Sequence, residues 1–437
     1  MLQKLKKFWR HNAGNTIMIF ALAVPAIFIA IGGAIDFSGV MQAKSQLQDA
    51  ADVASVGSIA VNSPAFKAGL LITSGDLPIG VTRAQSIFAS NLQPQKDVSN
   101  IKVTATVTKT NNIMTSVVNA KGTYKTYMLG LMGLSTLPVE VNSKSTATVP
   151  PYIDFYLLLD NTPSMGLGAT PSDITLLQSK TPGSCAFACH ETDKPGSDNY
   201  SAAKLWGVTM RIDVVRQATQ SLMTTAKNTE SLAGQYRMAI YDFGQSATAI
   251  DAQAPPPYNV SPLTTDLTTS ATKAGLMDLM ITSKQNYNSD RLTNFNSTLA
   301  GMKSIIPTSG DGTTSTKPQQ VLFFVTDGVN DSYDCSRNDG ATCRATTPLD
   351  PTQCTAIKAK GIRIAVLYTT YQPVPSDSWY TSYVAPWRPA NKPDLIAAEM
   401  QACATDGLYF EVSPSQGISD ALNALFTKVI SVVRINS

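Results

Sequence analysis

Apolar side chains follow three patterns along this chain, and each predicts a different structure. Residues 16–35 are a run of mostly Ile, Ala, Phe and Val, with no charged side chain between Ala13 and Ile35. A helix of that length crosses about 30 Å of hydrocarbon. Beyond Asp36 the apolar positions Phe37, Val40, Met41, Ala43, Leu47, Ala50, Ala51 and Ala54 recur at roughly helical spacing without a proline. This predicts one long helix, half in lipid and half outside. From Asn100 the pattern changes to alternation, with Ile101, Val103, Ala105 and Val107 on one side and Lys102, Thr104 and Thr106 on the other, the signature of a half-buried strand. Further runs at 113–120 and 139–149 flank a short apolar helix near 127–134. A small α+β module over residues 63–151 is expected, with no cysteine, no histidine and few acids, and so no chemistry of its own.

Pro150-Pro151 reads as a linker, and the third pattern follows it. Apolar runs at 153–159, 236–243, 321–325, 361–368 and 408–412 read as strands. Helical periodicity at 204–227, 293–306, 394–403 and 415–433 falls between them. Continuously apolar strands with interleaved helices predict a parallel sheet covered on both faces, an α/β domain over 152–437 of the doubly wound, Rossmann-like kind. The segments 166–205 and 245–292 read as insertions, and residues 1–62 as a basic stub, a transmembrane helix and its extension.

Charge refines the first pattern. The net charge of +3 comes mostly from Lys4, Lys6, Lys7 and Arg10, which precede the apolar run. The positive-inside bias then puts the N-terminus in the cytoplasm and the remainder on the far side. A cleaved signal peptide shares the basic start and apolar middle, but the run is long for one and continues without a turn; either way the rest is exported. The near-neutral remainder offers no basic face for nucleic acid. All six cysteines lie after position 180, at 185, 189, 335, 343, 354 and 403. In an exported domain they are expected to pair, with Cys185–Cys189, Cys335–Cys343 and Cys354–Cys403 as guesses and the connectivity left open. Two histidines in the whole chain nearly exclude imidazole-based zinc chemistry.

In doubly wound sheets, ligands sit beyond the C-terminal strand ends at the switch point. Strand 153–159 runs into Asp160-Asn161-Thr162-Pro163-Ser164, and strand 321–325 into Thr326-Asp327-Gly328. Two carboxylates with neighbouring hydroxyls make an all-oxygen site suited to Mg²⁺, Mn²⁺ or Ca²⁺, and two such charges repel unless a cation lies between them. Alone, a D-x-T-x-S pentapeptide is only a polar turn. Ser270-Ala-Thr-Lys273 has the S-x-x-K form of some acyl enzymes but lacks the partner motifs and reads as a solvated helix turn. Neither a G-x-S-x-G elbow nor a phosphate loop is present. Asp331, Asp334 and Asp339 read as an exposed loop, with a second ion as the sharper alternative.

Two resemblances follow. The stretch Gly14-Asn15-Thr16-Ile17-Met18-Ile19-Phe20, followed by Asp36-Phe37 and Leu47-Gln48-Asp49-Ala50-Ala51, resembles the TadE/TadG-like proteins of the bacterial tight-adherence (Flp) pilus assembly machinery. Pilin-like members are cut after the glycine and carry a glutamate five residues later; Ile19 stands there, so the segment reads as a retained anchor. The region from Tyr152 onward resembles von Willebrand factor type A domains, whose metal-ion-dependent adhesion site begins D-x-[S/T]-x-S. That resemblance implies metal ligation by Asp160, Thr162 and Ser164, by Asp327 at the end of the fourth strand, and by a threonine in a later loop, here Thr293. Together they imply a cation-dependent binding module on the bacterial inner membrane, facing the periplasm, that engages an acidic residue on a protein of the pilus machinery. A surface adhesin using the same metal is the alternative, and a metal-assisted hydrolase a weaker one, since no nucleophile or base stands beside the metal residues.

Overall fold

The computed structural model describes residues 13–94, 96–188, 190–191, 198–244, 256–282, 293–333, 344–413 and 417–435. The chain divides into two compact units, Met1–Val149 and Pro150–Ser437. The division falls at Pro150. The outer half of the first helix packs within the first of these units.

That helix, α1 (Ala13–Ser58), runs unbroken through Pro25. The prolines at 64 and 78 start two further helices, α2 (Pro64–Gly69) and α3 (Pro78–Asn91). Proline suits a first helical turn, where no intrahelical N–H is required of it. A short strand β1 (Gly75–Asp76) and the long strands β2 (Val98–Thr110), β3 (Ile113–Lys125) and β4 (Thr136–Thr148) form an antiparallel sheet in the order β1-β2-β3-β4. Against one face α1 lays Ala43, Leu47, Ala50, Ala51 and Ala54, all buried with Val118, Ala120, Val139 and Val141. Small side chains let helix and sheet approach closely, and serines fill the end of the seam. Ser55 meets Ser143 at 2.8 Å, and Ser58 donates to Ser116 at 2.8 Å.

In the second unit the sheet order is β12-β11-β8-β5-β6-β7, comprising β5 (Ile153–Leu159), β6 (Tyr236–Asp242), β7 (Tyr258–Thr264), β8 (Gln319–Thr326), β11 (Arg363–Thr369) and β12 (Tyr409–Val412). All pairings are parallel except β6 with β7. The doubly wound architecture expected of a von Willebrand factor type A-like domain is thus the one found. All seven residues of β5 are buried, and they alternate between two cores. Phe155, Leu157 and Leu159 face a cluster closed by α6 (Arg211–Thr229) and α11 (Ile418–Ile435). Tyr156 and Leu158 face a second, closed by α8 (Phe295–Ile305), α9 (Thr352–Lys358) and α10 (Leu395–Cys403). The one acid in β5, Asp154, is neutralised by a bidentate Arg237 at 2.7 Å for both bonds.

Several boundaries differ from the sequence reading. The helix expected over 204–227 is two, α5 (Asn199–Leu205) and α6, because the chain turns at Gly207 with φ of +74°. The insertion at 166–205 carries α4 (Pro171–Lys180) before α5. The insertion at 245–292 contains β7, which closes one edge of the sheet, and α7 (Leu267–Ala274), so part of it belongs to the domain's frame. The polar alternation of β7 hid it, since an edge strand need not be apolar on both faces. Ser270 is buried within α7, 3.1 Å from the Ser261 hydroxyl, and not on a solvated turn. A hairpin of β9 (Val329–Tyr333) and β10 (Arg344–Pro348) follows β8. Cys354 and Cys403 are joined as expected, linking α9 to α10. Cys189, Cys335, Cys343, Asp334 and Asp339 lie outside the described residues.

Candidate metal centre

The two aspartates come together because their strands are adjacent and in register. Leu159 of β5 pairs with Val325 of β8, so each strand delivers its next residues to the same point above the sheet. The Asp160 amide continues the ladder to the Val325 carbonyl at 2.9 Å. Thr326 stands opposite and donates its hydroxyl to Asp160 Oδ2 at 2.5 Å. The other carboxylate oxygen accepts from the Thr162 amide at 2.9 Å and the Thr162 hydroxyl at 2.6 Å. Because that hydroxyl spends its proton on Asp160, its lone pairs face elsewhere, toward Ser164 Oγ at 3.3 Å. Pro163 starts a 3₁₀ turn over Pro163–Gly166 that fixes this spacing. After Asp327 the chain must turn sharply. Gly328 has φ of +76°, and a Cβ there would lie 2.6 Å from Ile396 Cγ2, so only glycine fits.

Thr293 is brought in by a different device. It lies outside the expected helix, which begins only at Phe295 with Asn294 as its cap. Two backbone hydrogen bonds, Thr293 N to Asp331 O at 3.0 Å and Asp331 N to Thr293 O at 2.9 Å, dock it onto β9 just beyond Asp327. It lines a cavity of about 300 Å³ together with Ser164, Asp331, Arg344, Tyr371 and Trp379. Asp160, Thr162 and Asp327 are fully buried behind this cavity, whereas Ser164 reaches its rim. All five residues expected from the sequence therefore gather at one end of the sheet.

Burial, and after it the neighbouring Asp327 charge, push the Asp160 carboxyl up to about 7. Burial also raises Asp327, while the Arg211 guanidinium pulls it back. Arg211 and Tyr371 are the residues that the sequence reading missed. Arg211, fully buried, lies 3.2 Å from Asp327 through Nη1, donates through Nη2 to the Thr370 carbonyl at 2.5 Å, and stacks over the Tyr371 ring at 4.5 Å. The signal was available: Arg211, Val215, Ala218 and Leu222 share one helical face, and all are buried. A charge on that stripe has to meet a partner inside. Asp242, at the end of β6 beside Leu159, is a third buried carboxyl, and burial raises it well above the usual range. Asn161 ties this corner together, donating to the Gly244 carbonyl at 2.6 Å and accepting from the Gly244 amide at 2.9 Å.

Would a hard cation fit here? Two carboxylates and two hydroxyls 3.3 Å apart, with a third hydroxyl residue on the shared cavity wall, are the oxygen donors that Mg²⁺, Mn²⁺ or Ca²⁺ prefer. The Tyr371 hydroxyl is buried beside Ser164 and Asp327 and engages both side chains. The departure is Arg211, which already supplies one positive charge to Asp327. Among the described residues no cluster of three or more His, Cys, Asp or Glu side chains could hold a metal instead. That leaves this mixed carboxylate–hydroxyl set as the candidate.

Residues 14–58 match the family described as putative Flp pilus-assembly TadE/G-like. No curated protein matches the chain. Among solved structures it is similar to the vWF domain of the type V pili tip protein Mfa5 from Porphyromonas gingivalis, at 11% identity and a TM-score of 0.35, covering 66% of this chain and 97% of that one. It is similar also to the conserved hypothetical protein BatB from Bacteroides thetaiotaomicron, at 12% identity and a TM-score of 0.33, covering 64% and 99%. A third is the PilB minor pilin from Streptococcus sanguinis, at 11% identity and a TM-score of 0.33, covering 76% and 78%.

Proposed function

We propose that this chain, with its TadE/G-like N-terminal segment, is a membrane-anchored component of Flp pilus assembly that grips a protein partner through a divalent cation. Asp160, Thr162, Ser164, Thr293 and Asp327 are the residues that would hold Mg²⁺, Mn²⁺ or Ca²⁺. Bound there, the ion would offer an open coordination position to a carboxylate of the partner. The observation that carries this reading is the pair of fully buried aspartates at adjacent strand ends, where burial, and after it the charge of Asp327, pushes Asp160 up toward neutrality. The protein's own part is to hold the hydroxyl of Thr162 on Asp160, keep Ser164 at the cavity rim and keep water from the carboxylates.

Binding rather than turnover is the reading because the polar groups on the cavity wall are already engaged. Asp331 pairs with Arg344 at 2.9 Å, and Cys185 donates to the Phe187 carbonyl. The apolar α1, long enough to cross a membrane, supports anchoring. Its basic flank supports an inner-membrane protein with a cytoplasmic N-terminus, and the Cys354–Cys403 bridge supports a periplasmic C-terminal unit.

The test is a pull-down with the whole chain in detergent, in Mg²⁺ or in chelator. A partner should be retained only with Mg²⁺ and lost with Asp160→Ala, while that variant remains made and membrane-bound but builds no pili. Normal piliation by Asp160→Ala with failed surface adhesion would replace this reading with the adhesin one.

A further inference from the structure

The hairpin tip joining β3 to β4 is unlike an ordinary solvent loop. Residues 126–135 read Thr-Tyr-Met-Leu-Gly-Leu-Met-Gly-Leu-Ser, without a single charge. Leu131 is 85% exposed, Tyr127 57%, Leu134 55% and Met132 54%. So many large apolar groups on one ten-residue tip need a partner. Its position identifies that partner. The tip packs on α1 at Gly32 and Gly33, within the apolar span: a Cβ on Gly32 would lie 2.6 Å from Met128 Cβ, and one on Gly33 3.6 Å from Leu129 Cδ2. A segment lying against the last turns of a membrane span lies at the same depth as those turns. On α1 itself Ile35, Phe37 and Met41 continue the exposed apolar surface at that level.

Lipid tolerates backbone only where its polar groups are satisfied internally, and here most of the tip's amides are. The Asp36 carboxylate accepts from the amides of Tyr127 at 2.9 Å, Met128 at 2.9 Å and Leu129 at 2.7 Å. Thr126, Leu131, Gly133 and Leu134 donate to carbonyls within the tip. The same contacts leave Asp36 only 1% exposed, so the acid that ends the span is sealed from hydrocarbon. Tyr127, whose hydroxyl donates to Asp97, is the kind of side chain that settles at a headgroup boundary.

We infer that the 126–135 tip inserts into the outer face of the bilayer beside α1, as a second membrane contact locked to the anchor by Asp36. The occupant of this surface is lipid, and the inference rests on the reading of α1 as a membrane span. The module is thereby held against the membrane at two places and is not free to swing about a single helix.

The test uses the full chain in lipid nanodiscs, one chain per disc, carrying a dansyl-alanine at position 131. Matching probes stand at position 28, inside the span, and at Leu71, 81% exposed near the opposite end of the sheet. Acyl-chain-brominated phosphatidylcholine should quench the probes at 131 and 28 severalfold more than the probe at 71, with blue-shifted emission at 131. Quenching at 28 with a water-like, unquenched probe at 131 overturns the inference while leaving the anchor standing. Quenching at neither overturns the anchor, and the inference with it. A blue-shifted but unquenched probe at 131 assigns the tip to protein and also overturns it.

Discussion

Replacing Arg211 by methionine tests whether the buried guanidinium and a divalent cation do the same electrostatic work. Both partners of the Arg211–Asp327 pair have 0% of their side chains exposed, with 3.2 Å between Nη1 and Oδ2. Removing one partner of a buried pair costs about 3–5 kcal/mol, because the remaining charge is left uncompensated. Loss of the stacking on Tyr371 adds about 0.5–2 kcal/mol. In chelator, therefore, Arg211→Met should lower the stability of the C-terminal unit by about 5 kcal/mol, a fall in Tm of roughly 10–20 °C for a domain of this size. With Mg²⁺ at about 100 times its Kd, binding to the folded state returns about 2.7 kcal/mol. The variant should gain more than the native chain from the same ion, since Asp327 no longer shares its charge with a guanidinium. Urea unfolding of both proteins, each in chelator and in Mg²⁺, measures all four values. An equal loss with and without Mg²⁺ would mean that no cation reaches Asp327. A variant as stable as the native chain in chelator would mean that Arg211 is not its counter-ion.

The remaining expectations concern pH and the disulfide. Without a cation, folded Asp160 holds its proton up to about 7, against 3.8 for the free side chain. That proton's contribution to stability is full below 3.8 and is lost as pH rises through about 7. A cation must displace the proton, so the rise in Tm on adding Mg²⁺ should grow between about pH 5 and about pH 8, and calorimetry giving equal rises at both would refute the assignment. Replacing both Cys354 and Cys403 by serine opens a loop with a sequence separation of 49. Chain entropy then predicts a loss of about 4 kcal/mol, read as a lower urea midpoint than the oxidised native chain; no change would show that the bridge constrains nothing.

Local pattern was enough for much of this molecule. An uncharged apolar run predicts a span-length helix whatever surrounds it, and continuous apolar strands ending in Asp160 and Asp327 predict a covered parallel sheet with acids at its mouth. These follow from the sequence because burial on both faces forces apolar residues at every position of a strand, and the strand end is the first place where a polar group can stand. Tertiary structure decided what the period cannot encode. The edge strand Tyr258–Thr264 is polar because only part of it is covered, so it read as an insertion. Thr293 reaches the site through backbone pairing with Asp331, a contact across a segment with no periodic signal. Arg211 sits on an apolar helical stripe, but its partner is 116 residues away, and only adjacency of β5 and β8 puts Asp327 in front of it. Asp36 likewise marked the end of an apolar run in sequence. The fold made it the acceptor for three amides from a hairpin more than 90 residues distant, because a buried carboxylate needs donors around it.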